Sequence, residues 1–72
     1  MPHKPLTHRE AVEVAKRFAA SERLPFRDGD LDVRMKEGLW QVSTNSSRLG
    51  GNLVVQLDPV TGLVKHHVYY WE

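Results

Sequence analysis

Four histidines, His3, His8, His66 and His67, are the side chains best suited to acid–base or metal chemistry near neutral pH. A metal needs several donors converging on one point. His66 and His67 are adjacent, so on a strand they point to opposite faces and cannot readily share an ion. His8 falls in a first helical turn, where a protonated ring opposes the helix dipole. His3 precedes any element. Asp28, Asp30 and Asp32 alternate like the start of a cation loop. A calcium loop also needs a mid-loop glycine and a late bidentate glutamate, and Glu37-Gly38 does not restore that register. Ser43, Thr44, Ser46 and Ser47 supply hydroxyls but no Gly-x-Ser-x-Gly elbow, and a hydroxyl becomes a nucleophile only beside a positioned base. Gly50-Gly51 is too short to cradle phosphate and has no helix after it. Asn45-Ser46-Ser47 fits the glycosylation pattern. The chain has no cysteine, which excludes disulfides and thiolate sites. These residues predict a protein that is not an enzyme and holds neither metal nor cofactor.

Little chain is available to position such groups. Seventy-two residues make one domain, residues 1–72. A chain near this size removes only about 60% of its unfolded surface from water. That allows one thin core and no deep substrate pocket. Hydrophobic residues at 40% and charged residues at 26% are ordinary for a folded chain. Ten Lys and Arg against nine Asp and Glu leave +1, which excludes a nucleic-acid clamp built on bulk charge. No apolar run approaches a membrane span, and Met1-Pro2-His3-Lys4 leads into no signal-type segment. The expectation is a cytoplasmic protein without membrane contact.

The clearest structural signal is a helix start. Thr7 stands three residues ahead of Glu10, the spacing of a capping box, and Leu6 can lean on Ala11 as a hydrophobic staple. A helix over residues 8–22 gathers Ala11, Val12, Val14, Ala15, Phe18 and Ala19 on one side. The small alanines allow close approach to a sheet, with Phe18 as the one large anchor. Pro25 ends the helical pattern, and Arg27-Asp28-Gly29-Asp30 reads as a turn. From Leu31 the period changes to two, which predicts strands over 31–36, 39–44, 52–58 and 63–71. Glu37-Gly38 is a tight-turn candidate. Residues 44–51 read as a long polar loop or as extensions of the flanking strands. Asp58-Pro59-Val60-Thr61-Gly62 is the sharpest turn signal in the chain. The predicted fold is α+β: one N-terminal helix packed on a four-stranded antiparallel meander, in the order 1-2-3-4. Its core is Leu31, Val33, Met35, Trp40, Val42, Leu53, Val55, Leu57, Val64 and Val68.

With these elements in place, Leu6-Thr7-x-x-Glu10-Ala11-x-x-x-Ala15 is similar to the opening of small PepSY-type domains. Trp40-x-Val42, followed by Gly50-Gly51-x-Leu53-Val54-Val55-x-Leu57-Asp58-x-x-Thr61-Gly62-x-Val64, resembles their later strands. The same combination resembles short bacterial immunity proteins described as having an NTF2-type fold. The likeness spans roughly residues 6 to 65 and rests on caps, turns and core positions. PepSY-type domains are commonly attached to secreted peptidases or membrane proteins, where they inhibit or bind. The resemblance therefore implies a non-catalytic regulatory, inhibitory or immunity-like module, and it carries over no catalytic residue.

A surface for such a module is predicted on the sheet face away from the helix. Plain alternation sends Val64, Val68 and Tyr70 toward the core, together with His66. It sends Leu63, Lys65, His67, Tyr69 and Trp71 outward. The expected partner-binding residues are Arg34, Lys36, Gln41, Gln56, His67, Tyr69 and Trp71, with Leu39 and Val54 among them. Aromatics inside a polar rim have the anatomy of a protein interface. A protein partner is the first expectation. A homodimer closing through the open sheet face is the second, and stacking of single-stranded nucleic acid or a small enzyme ranks below both. One bulge in the last strand would reverse these directions and bring Tyr70 outward.

Overall fold

Thr7 begins the fold. A computed structural model describes residues 4–27, 29–44 and 51–70. In it the Thr7 hydroxyl accepts from the Glu10 amide at 3.1 Å, and the Glu10 carboxylate accepts from the Thr7 amide at 2.9 Å. This capping box satisfies two amides that a helix start leaves without partners. Helix α1 runs His8–Ser21, one residue shorter than the pattern predicts. Ala11, Ala15 and Ala19, four apart, are its fully buried residues. Phe18 packs against the core cluster but is only half-buried, because the alanine stripe and not Phe18 points straight at the sheet.

The helix stops by a local device. The Leu24 amide donates to the Ala19 carbonyl at 2.8 Å and the Arg23 amide to the Ala20 carbonyl at 3.2 Å, the paired bonds of a Schellman motif. Arg23 is thereby held at φ 56°, a left-handed conformation that glycine adopts without steric cost. Arg23→Gly is expected to raise stability by up to about 1 kcal/mol, read as a higher urea midpoint with an unchanged slope. A lower midpoint would mean that the arginine side chain contributes more than its backbone strain costs.

Four antiparallel strands follow: β1 (Leu31–Lys36), β2 (Leu39–Thr44), β3 (Asn52–Leu57) and β4 (Val64–Tyr70). They lie in the order β1-β2-β3-β4, so the meander is as the sequence predicts. Strand β3 ends one residue before 58, and Leu63, expected to open the last strand, lies outside β4 and is exposed. Glu37 and Gly38, at φ 53° and 80°, form the two-residue turn between Lys36 and Leu39, with the left-handed pair that matches strand twist. The predicted turn residue Asp28, the glycosylation pattern and serines within 45–50, His3 and Trp71 lie outside the described residues.

The β3–β4 turn is organised by one carboxylate. Asp58 Oδ1 accepts from the amides of Val60 at 2.8 Å and Thr61 at 2.9 Å. Gly62, at φ 77°, donates its amide to the Asp58 carbonyl at 3.0 Å. The Thr61 amide, then the Val60 amide, hold the Asp58 carboxyl below its ordinary value of 3.8. A depressed folded-state value contributes stability above the unfolded value, and that contribution disappears as pH falls through the folded one. The stability advantage of the wild type over Asp58→Asn should therefore shrink as pH is lowered from about 4 downward. Urea midpoints of both proteins across that range check it, and a pH-independent difference would reject it.

The core lies between α1 and the sheet. Val42, Leu53, Val55 and Leu57 are fully buried beneath the three alanines, and Leu6, Val33, Trp40, Val64 and Tyr69 pack around them. The Trp40 indole Nε1 donates to the Leu6 carbonyl at 3.0 Å, and His8 meets the Trp40 ring edge-on at 6.2 Å between centroids. Leu6 in turn donates its amide to the Pro59 carbonyl, so the chain entering α1 is tied to both β2 and the Asp58 turn. Three predicted core residues depart from expectation, the first being Leu31, which is half-buried and lies outside the core cluster. Met35 keeps the register of Trp40 but is half exposed at the end of edge strand β1, and Val68 faces away from the helix. Thr44 closes β2 at the predicted boundary and is 1% exposed. Its hydroxyl accepts from the Leu53 amide at 3.1 Å, which satisfies a buried donor at the end of the β2–β3 ladder.

Candidate partner surface on the open sheet face

Strand β4 contains one extra residue. Gln56 pairs with His66, but Leu57 pairs with Val64, which leaves Lys65 unmatched as a bulge. A bulge shifts the alternation of everything beyond it. Val64 faces the helix as expected. Past Lys65, His67 and Tyr69 also face it, opposite Val55 and Leu53. The Phe18 and His67 rings meet at 4.8 Å between centroids, 61° apart. His66, Val68 and Tyr70 face away, opposite Gln56, Val54 and Asn52.

The expected outward placement of His67 and Tyr69 is therefore corrected, as is the expected inward placement of His66, Val68 and Tyr70. The physical reason is the single bulged residue Lys65. Arg34, Lys36, Gln41 and Gln56 do lie on the open face. His66, Val68 and Tyr70 take the places that plain alternation gave to His67 and Tyr69. The one signal for them in the sequence is the similarity of residues at both parities of this strand, which makes a slip affordable to the core.

Register aligns the open face into rows. Arg34, Gln41, Gln56 and His66 form one polar row across all four strands. Gln56 Nε2 donates to Gln41 Oε1 at 2.9 Å along it. The next row holds Asp32, Ser43, Val54 and Val68. Arg34 joins the two rows at the β1 side, donating through Nε and Nη2 to both carboxylate oxygens of Asp32. Its charge is thus largely balanced within the surface. At the β4 side the face is apolar, with Val68 46% and Tyr70 52% exposed. Gln41, Val54, Gln56, His66, Val68 and Tyr70 line a shallow depression of about 210 Å³ there.

Such a depression is large enough to hold a side chain. Among the described residues no three His, Asp or Glu side chains gather closely enough to hold a metal. No described helix is long and apolar enough to cross a membrane. The described residues form a small α+β domain without a recognisable catalytic motif. Comparison of this chain with family models, with characterised proteins and with solved structures finds no match.

Proposed function

We propose that this chain is a non-catalytic recognition module, regulatory, inhibitory or immunity-like, that binds a protein through the open face of its sheet. The observation that carries the reading is the pairing of Val68 and Tyr70, both about half exposed, with the Gln41–Gln56 amide pair beside them. Because Gln56 donates to Gln41, the pair still offers a donor at the Gln41 nitrogen and an acceptor at the Gln56 oxygen. That combination matches a peptide group, while Val54, Val68 and Tyr70 suit an apolar side chain next to it. The similarity of Leu6–Ala15 and Trp40–Val64 to PepSY-type domains and short immunity proteins supports the same reading.

The size of the surface sets the strength of binding. Four strands about 4.8 Å apart and about 20 Å long project about 400 Å². Even with side-chain relief this lies at the low end of specific interfaces, where each partner contributes roughly 800 Å². A transient complex with one dominant anchor is expected.

Tyr70→Ala should weaken the complex by about 2 kcal/mol, and Gln41→Ala by less, without unfolding the domain. The test begins with capture of partners from the source cell and continues with titration of the purified complex by wild type and both variants. Amide exchange should slow on β2, β3 and β4 around the depression. Slowing confined to the helix around Arg9, Lys16 and Arg17 would reject the sheet face.

A further inference from the structure

The sheet has two outer strands, β1 and β4, and they are built differently. Strand β1 carries Asp32, Arg34 and Lys36 among its six residues. Charges of that kind are the usual protection of a strand edge against pairing with another chain. Strand β4 carries one formal charge in seven residues, Lys65, and it sits at the bulge. Beyond it, His66–Tyr70 runs in regular register with β3 and contains no Lys, Arg, Asp or Glu. In a regular strand, alternate backbone groups point away from the neighbour already paired. Among the described residues, the outer side of this run is therefore an extended edge whose own side chains carry no charged guard.

The run is also complementary to itself. An antiparallel copy centred on Val68 would set Val68 against Val68, His66 against Tyr70 on the open face, and His67 against Tyr69 on the helix face. Imidazole–phenol and valine–valine pairs are favourable neighbours across strands, and no like charges meet. The operation keeps both helices on one side and brings the half-exposed Val68 and Tyr70 of the two copies together at the seam. The charged β1 strands then become the outer edges of the combined sheet.

We propose that two copies of this chain associate antiparallel through their His66–Tyr70 edges, forming one continuous eight-stranded sheet. The contact uses the strand edge, but Val68 and Tyr70 also border the open-face depression, so partner binding is scored separately with Gln41→Ala, which lies on β2 away from the seam.

The absence of cysteine makes a direct test simple. Val68→Cys places one thiol per chain at the axis, where opposed Cβ atoms of paired strands lie within about 4.5–5.5 Å, close to disulfide range. Mild oxidation should yield a covalent dimer. Arg34→Cys on β1 and Gln41→Cys on the open face, treated alike, should stay largely monomeric. Wild-type protein in a sedimentation concentration series should show a reversible dimer, weakened at least tenfold by Val68→Lys. That substitution is on a half-exposed side chain, and circular dichroism confirms folding of each variant. A wild type that sediments as a monomer throughout would overturn the proposal. So would cross-linking of Arg34→Cys or Gln41→Cys as fast as Val68→Cys, the second pointing to face-to-face packing. Neither result would affect recognition of a different protein by the open face.

Discussion

Leu57→Ala is expected to destabilise the domain by about 3–4 kcal/mol, the largest effect of any single truncation considered. Leu57 is fully buried, paired with Trp40 on one side and Val64 on the other. Trp40 is tethered by its indole to the Leu6 carbonyl, so it cannot swing freely into the space that a leucine would vacate. The loss then combines transfer of the missing methyls with an uncollapsed cavity. At roughly 0.05–0.15 kcal/mol per residue, a chain of 72 residues has only about 4–11 kcal/mol in total. Urea unfolding should show the midpoint falling to about half of the wild-type value if the total lies near the middle of that range. A loss under about 1 kcal/mol would mean the core closes over the site, contrary to the tether.

Ala15→Leu should cost about 3 kcal/mol for the opposite reason, overpacking. Ala15 is fully buried at the centre of α1, between Ala11 and Ala19, over the fully buried residues of β2 and β3. Three added carbons have no room unless the helix lifts from the sheet, which would uncover the core along the whole stripe. Ala20→Leu, one face away and exposed, is the control and should be close to neutral. Equal effects at the two positions would show that helix propensity and not helix–sheet spacing decides the outcome.

What could be read from the chain and what could not divide along one physical line. The capping box at Thr7 and Glu10, the Glu37-Gly38 turn and the Asp58–Gly62 turn act over a few residues, so their chemistry is visible locally. The helix stripe and the alternation of β1, β2 and β3 are visible because polar and apolar residues occupy distinct parities. Strand β4 offers no such contrast. Histidine and tyrosine occupy both parities and the two valines share one parity yet face opposite ways, so the faces are set by pairing with β3 and by the bulge at Lys65. That single slip moved His67 and Tyr69 under the helix and brought His66, Val68 and Tyr70 out. The strand end at Thr44 is legible, but its buried role is not, because a polar residue at a strand end gives no sign of burial. Its hydroxyl is needed only once the Leu53 amide is buried beside it.

The meander also determines how the chain reaches this state. Every strand pairs with its neighbour in sequence, so the sheet assembles through short loop closures, each with a small entropic cost. Helix docking is different: Leu6 must find Pro59 and Trp40, contacts that join the first turn of the chain to its distant half. Topologies dominated by near-neighbour pairing fold quickly. The Leu6 contacts with Pro59 and Trp40 therefore close longer loops than any strand pairing in the described chain and carry a larger entropic cost.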